Sequence, residues 1–143
     1  MQPDLHISTI AHAIQLAVAP VFLLTGIGAM LGVMANRLGR IIDRSRVLAA
    51  QPDAAQLTAP RDELRALGRR ACLIHRAISL CTLCALLICC VIATLFVGGI
   101  LNADVSIAIG VLFVAGMLAL IGGLVNFLRE VYLATASMRI GVD

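Results

Sequence analysis

The sequence predicts an all-α integral membrane protein, with three transmembrane helices and a cytoplasmic helical hairpin between the first and second. Three observations carry that prediction. Hydrophobic residues make up 61% of the chain and charged residues 13%, with a mean hydropathy of +1.02, more apolar than a soluble domain of this size needs for its core. Three stretches carry no charge, Leu16 to Ala35, Ala77 to Leu101 and Val105 to Leu128, and each reaches the roughly 20 residues that cross about 30 Å of hydrocarbon. Finally, Arg37, Arg40, Arg44, Arg46, Arg61, Arg65, Arg69, Arg70 and Arg76 all fall between the first two stretches.

Taken in order, residues 5 to 18 have helical periodicity, with Ile7, Ile10, Ala11, Ile14 and Val18 on one face and Ser8, Thr9, His12 and Gln15 on the other. The sequence leaves two readings open here: an interfacial helix on the outer surface, or an early start to the first span with Pro20 marking a kink. The first span covers residues 16–35. It is expected to be retained rather than cleaved as a signal peptide, because its basic residues follow the apolar core and Asp4 precedes it.

The segment 36–76 reads as two helices. Leu38, Ile41, Ser45 and Leu48 continue the first span, while Leu64, Leu67, Ala71, Ile74 and Ile78 lead into the second. Pro52 and Pro60 punctuate the turn between them, and Asp62 and Glu63 after Pro60 suit a first helical turn. The apolar stripes face each other or a neighbouring subunit, and Arg61, Arg65 and Arg69 face water. The spans at 77–101 and 105–128 are joined by Asn102, Ala103 and Asp104 alone, which makes them antiparallel neighbours, and residues 129–143 form a tail. The 143 residues make one membrane domain, with little room for a separate catalytic one.

Arginine placement sets the orientation. Residues 1–15 and the short second connector contain no arginine, whereas Arg129 and Arg139 follow the third span, so the N terminus is expected outside and the C terminus in the cytoplasm. Lysine and tryptophan are absent and Tyr132 is the only tyrosine, leaving arginine to set the depth in the bilayer.

Five cysteines, Cys72, Cys81, Cys84, Cys89 and Cys90, raise the question of a metal site. Cys81 and Cys84 share a helix face but Cys89 and Cys90 point elsewhere, so they read as small apolar filler, with no metal and no cofactor expected. His6, His12 and His75 lack ligand spacing and read as interfacial polar residues. No nucleophile elbow, phosphate-binding glycine loop or paired-carboxylate motif is present, and the expectation is a protein that is not an enzyme. A nucleic-acid-binding role is not expected either, because each arginine-bearing helix is fused to a span.

Two seams of small residues stand out. In the first helix Thr25, Gly28, Gly32, Asn36, Gly39 and Asp43 recur every three or four residues; in the third, Ala115, Ala119 and Gly123 do so, with Gly116 and Gly122 alongside. Both suit close helix contact, either inside a three-helix bundle or between copies of the chain. A polar cluster lies at the cytoplasmic boundary: Asn36, Arg37, Arg40, Asp43, Arg44, Arg76, Asn126, Arg129 and Glu130. It reads either as a structural lock between helix ends or as a ring that binds acidic lipid head groups or a passing ion.

The run Ala19-Pro20-Val21-Phe22-Leu23-Leu24-Thr25-Gly26-Ile27-Gly28-Ala29-Met30, followed by Asn36-Arg37-Leu38-Gly39-Arg40-Ile41-Ile42-Asp43-Arg44-Ser45-Arg46, resembles the small bacterial membrane proteins catalogued as domain of unknown function 2721. Ile74-His75-Arg76-Ala77-Ile78 and Phe127-Leu128-Arg129-Glu130-Val131 extend the resemblance over nearly the whole chain. The matching positions here are Pro20, Gly26, Asn36, Arg37, Arg40, Asp43, Arg44, Arg76, Arg129 and Glu130, and the resemblance implies no activity, substrate or catalytic residue. The resulting expectation is a homo-oligomeric protein of the bacterial inner membrane with a channel or transport role. The alternative is a membrane-anchored adaptor whose arginine-rich hairpin binds acidic lipid or a cytosolic partner.

Overall fold

The computed structural model describes the backbone of residues 3–50, 58–101 and 104–139, and the side chains of 10–50, 61–101 and 104–135. The described residues form three helices: α1, Pro3–Ala49; α2, Thr58–Leu101; and α3, Ser106–Arg139. Each contains a segment long and apolar enough to cross a membrane: Ile10–Ala49, Arg61–Leu101 and Ser106–Thr135. The turn residues Pro52, Asn102 and Ala103 lie outside the described residues.

Hydrocarbon offers no hydrogen-bond partner, so a spanning backbone has to satisfy itself, and a helix does so. The polar side chains within the helices follow the same rule. The Thr25, Thr94 and Thr135 hydroxyls donate to the carbonyls of Val21, Cys90 and Val131 at 3.3, 2.7 and 2.9 Å. The helix α1 runs unbroken through Pro20, so residues 5–15 and the first apolar stretch belong to one element rather than two. At the start of α3, Asp104 Oδ1 accepts the Ser106 hydroxyl at 2.6 Å and the Ser106 backbone N–H at 3.2 Å. These two donors hold the Asp104 carboxyl below the ordinary aspartate range.

The chain divides into two compact units, Met1–Met30 with Cys81–Leu120, and Leu31–Leu80 with Ile121–Asp143. In the first, the inward face of α1 is Ala13, Ala17, Pro20, Leu24 and Ile27, and that of α2 is Cys81, Cys84, Ile88 and Val91, with Gly116 and Ala119 from α3. The spacing alternates between three and four residues, the pattern of interlocking helix seams. Small residues let α3 approach α2: a methyl group at Gly116 would meet Ile88 Cδ1 at 3.5 Å, Leu87 Cβ at 3.6 Å and Cys84 Sγ at 3.8 Å, and one at Gly98 would collide with Val105. These pairings run in opposite directions along the two helices, as the short connector requires.

The outer surface of this unit is apolar. Phe22 is 73% exposed, Leu86 60%, Val111 64% and Ile107 83%. The interior mixes Ala13, Ala17, Cys81 and Cys84 with Ile27, Ile88 and Val91, while the exterior is as apolar as the interior, as suits helices long and apolar enough to lie in lipid. Thus Ile10, Ile14 and Val18, the apolar face read from the sequence, are exposed, and it is Ala13 and Ala17 that turn inward.

In the second unit the 3-4 pattern holds again: Leu31, Met34, Leu38, Ile41, Ser45 and Leu48 on α1, Leu67, Arg70, Ile74 and Ala77 on α2, and Gly123, Asn126, Glu130 and Ala134 on α3. Two charged residues therefore stand at core positions.

Replacing Gly116 by leucine inserts a branched side chain where a single methyl group already touches three neighbours. The expected outcome is a loss of about 1–3 kcal/mol in the unfolding free energy, measured by denaturation in detergent with helicity as readout.

Candidate functional site

The site lies in the second unit, around the one fully buried charged side chain among the described residues, Glu130, at 0% exposure. Its partners come from the other two helices. Arg70 of α2 donates to Oε1 through Nε at 3.2 Å and through Nη2 at 3.0 Å. Arg37 of α1 places Nη2 3.4 Å from Oε2, an ion pair without hydrogen-bond geometry, and its guanidinium lies over the Phe127 ring at 5.4 Å. A carboxylate taken out of water costs several kcal/mol unless it is paired, and two guanidinium groups meet that need here. Because each member of the trio belongs to a different helix, the pairing also fixes the register of all three.

Beside Glu130 opens a cavity of about 240 Å³ lined by Arg37, Arg40, Ile41, Arg44, Leu67, Arg70 and Glu130. Helical spacing places Arg37, Arg40 and Arg44 on one face of α1. Arg44 is held at the rim by Glu63 of α2, with Nε and Nη2 at 3.1 and 3.0 Å from Oε1. Both side chains of that pair are about half exposed, 56% and 44%, and an ion pair in such a setting is worth roughly 0–1 kcal/mol. Arg40 is exposed and has no acidic partner among the described residues.

The structure thus divides the polar cluster expected from the sequence. Arg37, Arg40, Arg44 and Glu130 come together. Asn36, Asp43, Arg76 and Arg129 are exposed and do not line the cavity, and the Asn126 side chain donates to the Gly122 carbonyl at 2.8 Å, on its own helix. Arg70 was missing from the expected cluster. Its signal is its position: it follows Leu67 by three and precedes Ile74 by four, so an arginine occupies a core slot of an apolar stripe. Arg61, Arg65 and Arg69 are exposed, and Arg65 pairs with Asp62 at 3.8 Å.

The two small-residue seams part company. On α3, Ala119 and Gly123 are buried, Ala115 is half-buried, and a methyl group at Gly122 would meet Leu80 Cδ1 at 3.3 Å. On α1, Thr25, Gly28, Gly32 and Asn36 are exposed, Gly39 is half-exposed, and a methyl group at Gly28, Gly32 or Gly39 would meet nothing within 4 Å among the described residues. Among the described residues, no neighbouring side chain or backbone packs against the α1 glycines. Cys81 and Cys84 are buried filler while Cys72, Cys89 and Cys90 are exposed, and all five thiols are free.

The family model described as "Protein of unknown function (DUF2721)" matches residues 17–140 and so takes in every residue of the site; the chain belongs to that family. No curated protein and no solved structure matches the chain.

Replacing Glu130 by glutamine removes the charge that Arg37 and Arg70 share and leaves two partly buried guanidinium groups without a carboxylate. The expected loss in unfolding free energy is about 3 kcal/mol, against less than about 1 kcal/mol for Glu63→Gln at the exposed rim, both read by denaturation in detergent.

Proposed function

We propose that this member of the DUF2721 family is a membrane-anchored scaffold without enzymatic activity, whose arginine-bearing helical extension gathers anionic lipid at the cytoplasmic face of a bacterial inner membrane. The observation that carries this reading is the surplus of guanidinium groups at one cavity. Among the described residues Arg37, Arg40, Arg44 and Arg70 share only Glu130 and Glu63, two positive charges more than those carboxylates neutralise. Clustered arginines next to spanning helices attract the acidic lipids of the cytoplasmic leaflet, and the same distribution orients the N terminus outside and the C terminus inside.

The exposed α1 seam favours a second element of the reading, self-association. Gly28 and Gly32 present backbone without side chains, and small residues of that kind let helices of two copies approach in lipid. The centre of the first unit is filled by Ile27, Cys81, Cys84, Ile88 and Val91, which favours a scaffold over a conducting path through that unit.

Reconstitution of the purified chain into liposomes tests both parts. The scaffold reading predicts electrically silent membranes and a preference for acidic lipid through detergent extraction that weakens as salt rises. The oligomer reading predicts that Gly28→Leu combined with Gly32→Leu shifts the particle mass toward the monomer. A conductance that changes with Asn36 or Arg40 would replace the scaffold by a channel.

A further inference from the structure

Building on the scaffold reading, we infer that the arginine-lined cavity is a binding site for the phosphate of one anionic lipid head group, gripped by Arg40 and Arg44. Glu130 serves as the internal counter-charge that positions Arg37 and Arg70.

Charge is the first reason. Glu130 already takes both hydrogen bonds from Arg70 and the ion pair from Arg37, whereas Arg40 is uncommitted among the described residues and Arg44 has only the rim contact with Glu63. A guanidinium is a planar fork of N–H donors that matches phosphate oxygens, and it stays charged at every physiological pH. Two forks one helical turn apart on α1 can take different oxygens of one phosphate. Glu63 then acts as a placeholder: a carboxylate half in water is displaced more readily than buried Glu130, so ligand binding opens the outer pair and leaves the inner trio intact.

Depth and size point to a lipid rather than a free phosphate. Arg37 stands two residues past the apolar stretch of α1, Glu130 two past that of α3 and Arg70 seven before that of α2, so at about 1.5 Å per residue the cavity layer lies about 3–10 Å on the water side of the apolar stretches. That is head-group depth rather than hydrocarbon. The volume of about 240 Å³ falls below the roughly 300–1,000 Å³ of sites that engulf a whole small molecule, and it suits a head-group fragment whose acyl chains stay in the bilayer. Ile41 and Leu67 supply an apolar wall on which a glycerol backbone can rest.

The test is lipid titration of the full-length chain by native mass spectrometry, using phosphatidylglycerol and phosphatidylcholine, with inorganic phosphate and glycerol phosphate as soluble arms. Arg40→Gln removes an exposed side chain with no acidic partner among the described residues; Arg69→Gln removes the same charge from the exposed side of α2, away from the cavity. The expected result is one tightly held phosphatidylglycerol, weakened about 10-fold or more by Arg40→Gln and less than about 2-fold by Arg69→Gln, and tightened by Glu63→Gln. Circular dichroism verifies that each variant keeps its helices. Equal losses in the two arginine variants would overturn the site while leaving diffuse attraction of acidic lipid in place. Equal binding of the soluble phosphates would overturn the lipid as source, and indifference between the two lipids would remove the scaffold reading as well.

Discussion

The second unit depends on a single buried carboxylate. Glu130 sits on α3 at a core position, Arg70 on α2 at another, and Arg37 reaches the same point from α1. An unpaired carboxylate there would be intolerable and an unpaired arginine nearly so, which means the three helices must hold one register for any of the charges to be stable. The apolar layers around this point, Met34, Ile41, Leu67 and Ile74, tolerate sliding far better, since their contacts are non-directional. The charged layer therefore supplies specificity while the apolar layers supply contact area.

The same constraint explains why the cavity exists. Arginines brought to Glu130 leave their neighbours Arg40 and Arg44 on the same face of α1, where the carboxylates among the described residues are too few to neutralise them. The concentration of positive charge is a by-product of how the helices are pinned, and it lies next to the charge-free stretches of the three helices. Elsewhere, bulky apolar Phe22, Ile107 and Leu118 point outward, while small Ala119, Gly116 and Cys84 pack inward beside Ile27, Ile88 and Val91.

Much of this was legible in the sequence. Charge-free length points to three helices long and apolar enough to span a membrane, and three such helices are present. The helices outrun the apolar stretches at several ends because α1 and α2 continue past Ala35 and before Ala77 on the stripes Ile41, Leu48 and Leu67, Ile74. Arg70 was legible only from its slot between Leu67 and Ile74 in the apolar stripe, not from composition. Its neighbours Arg69 and Arg76 face outward, and nothing in composition separates an arginine that snorkels to water from one turned inward to a carboxylate 60 residues away. Nor could spacing tell which glycine seam was used internally. Gly116 and Gly122 meet α2, while Gly28 and Gly32 meet nothing among the described residues, a distinction set by helix rotation rather than by residue type.

A double-mutant cycle on Arg70 and Glu130, with methionine and leucine as the replacements, measures the central interaction most directly through unfolding free energies in detergent. The account predicts that each single change is strongly destabilising while the double change recovers most of the loss, a coupling of more than about 1 kcal/mol. Additive losses would contradict it, because they would mean that the two residues do not depend on each other.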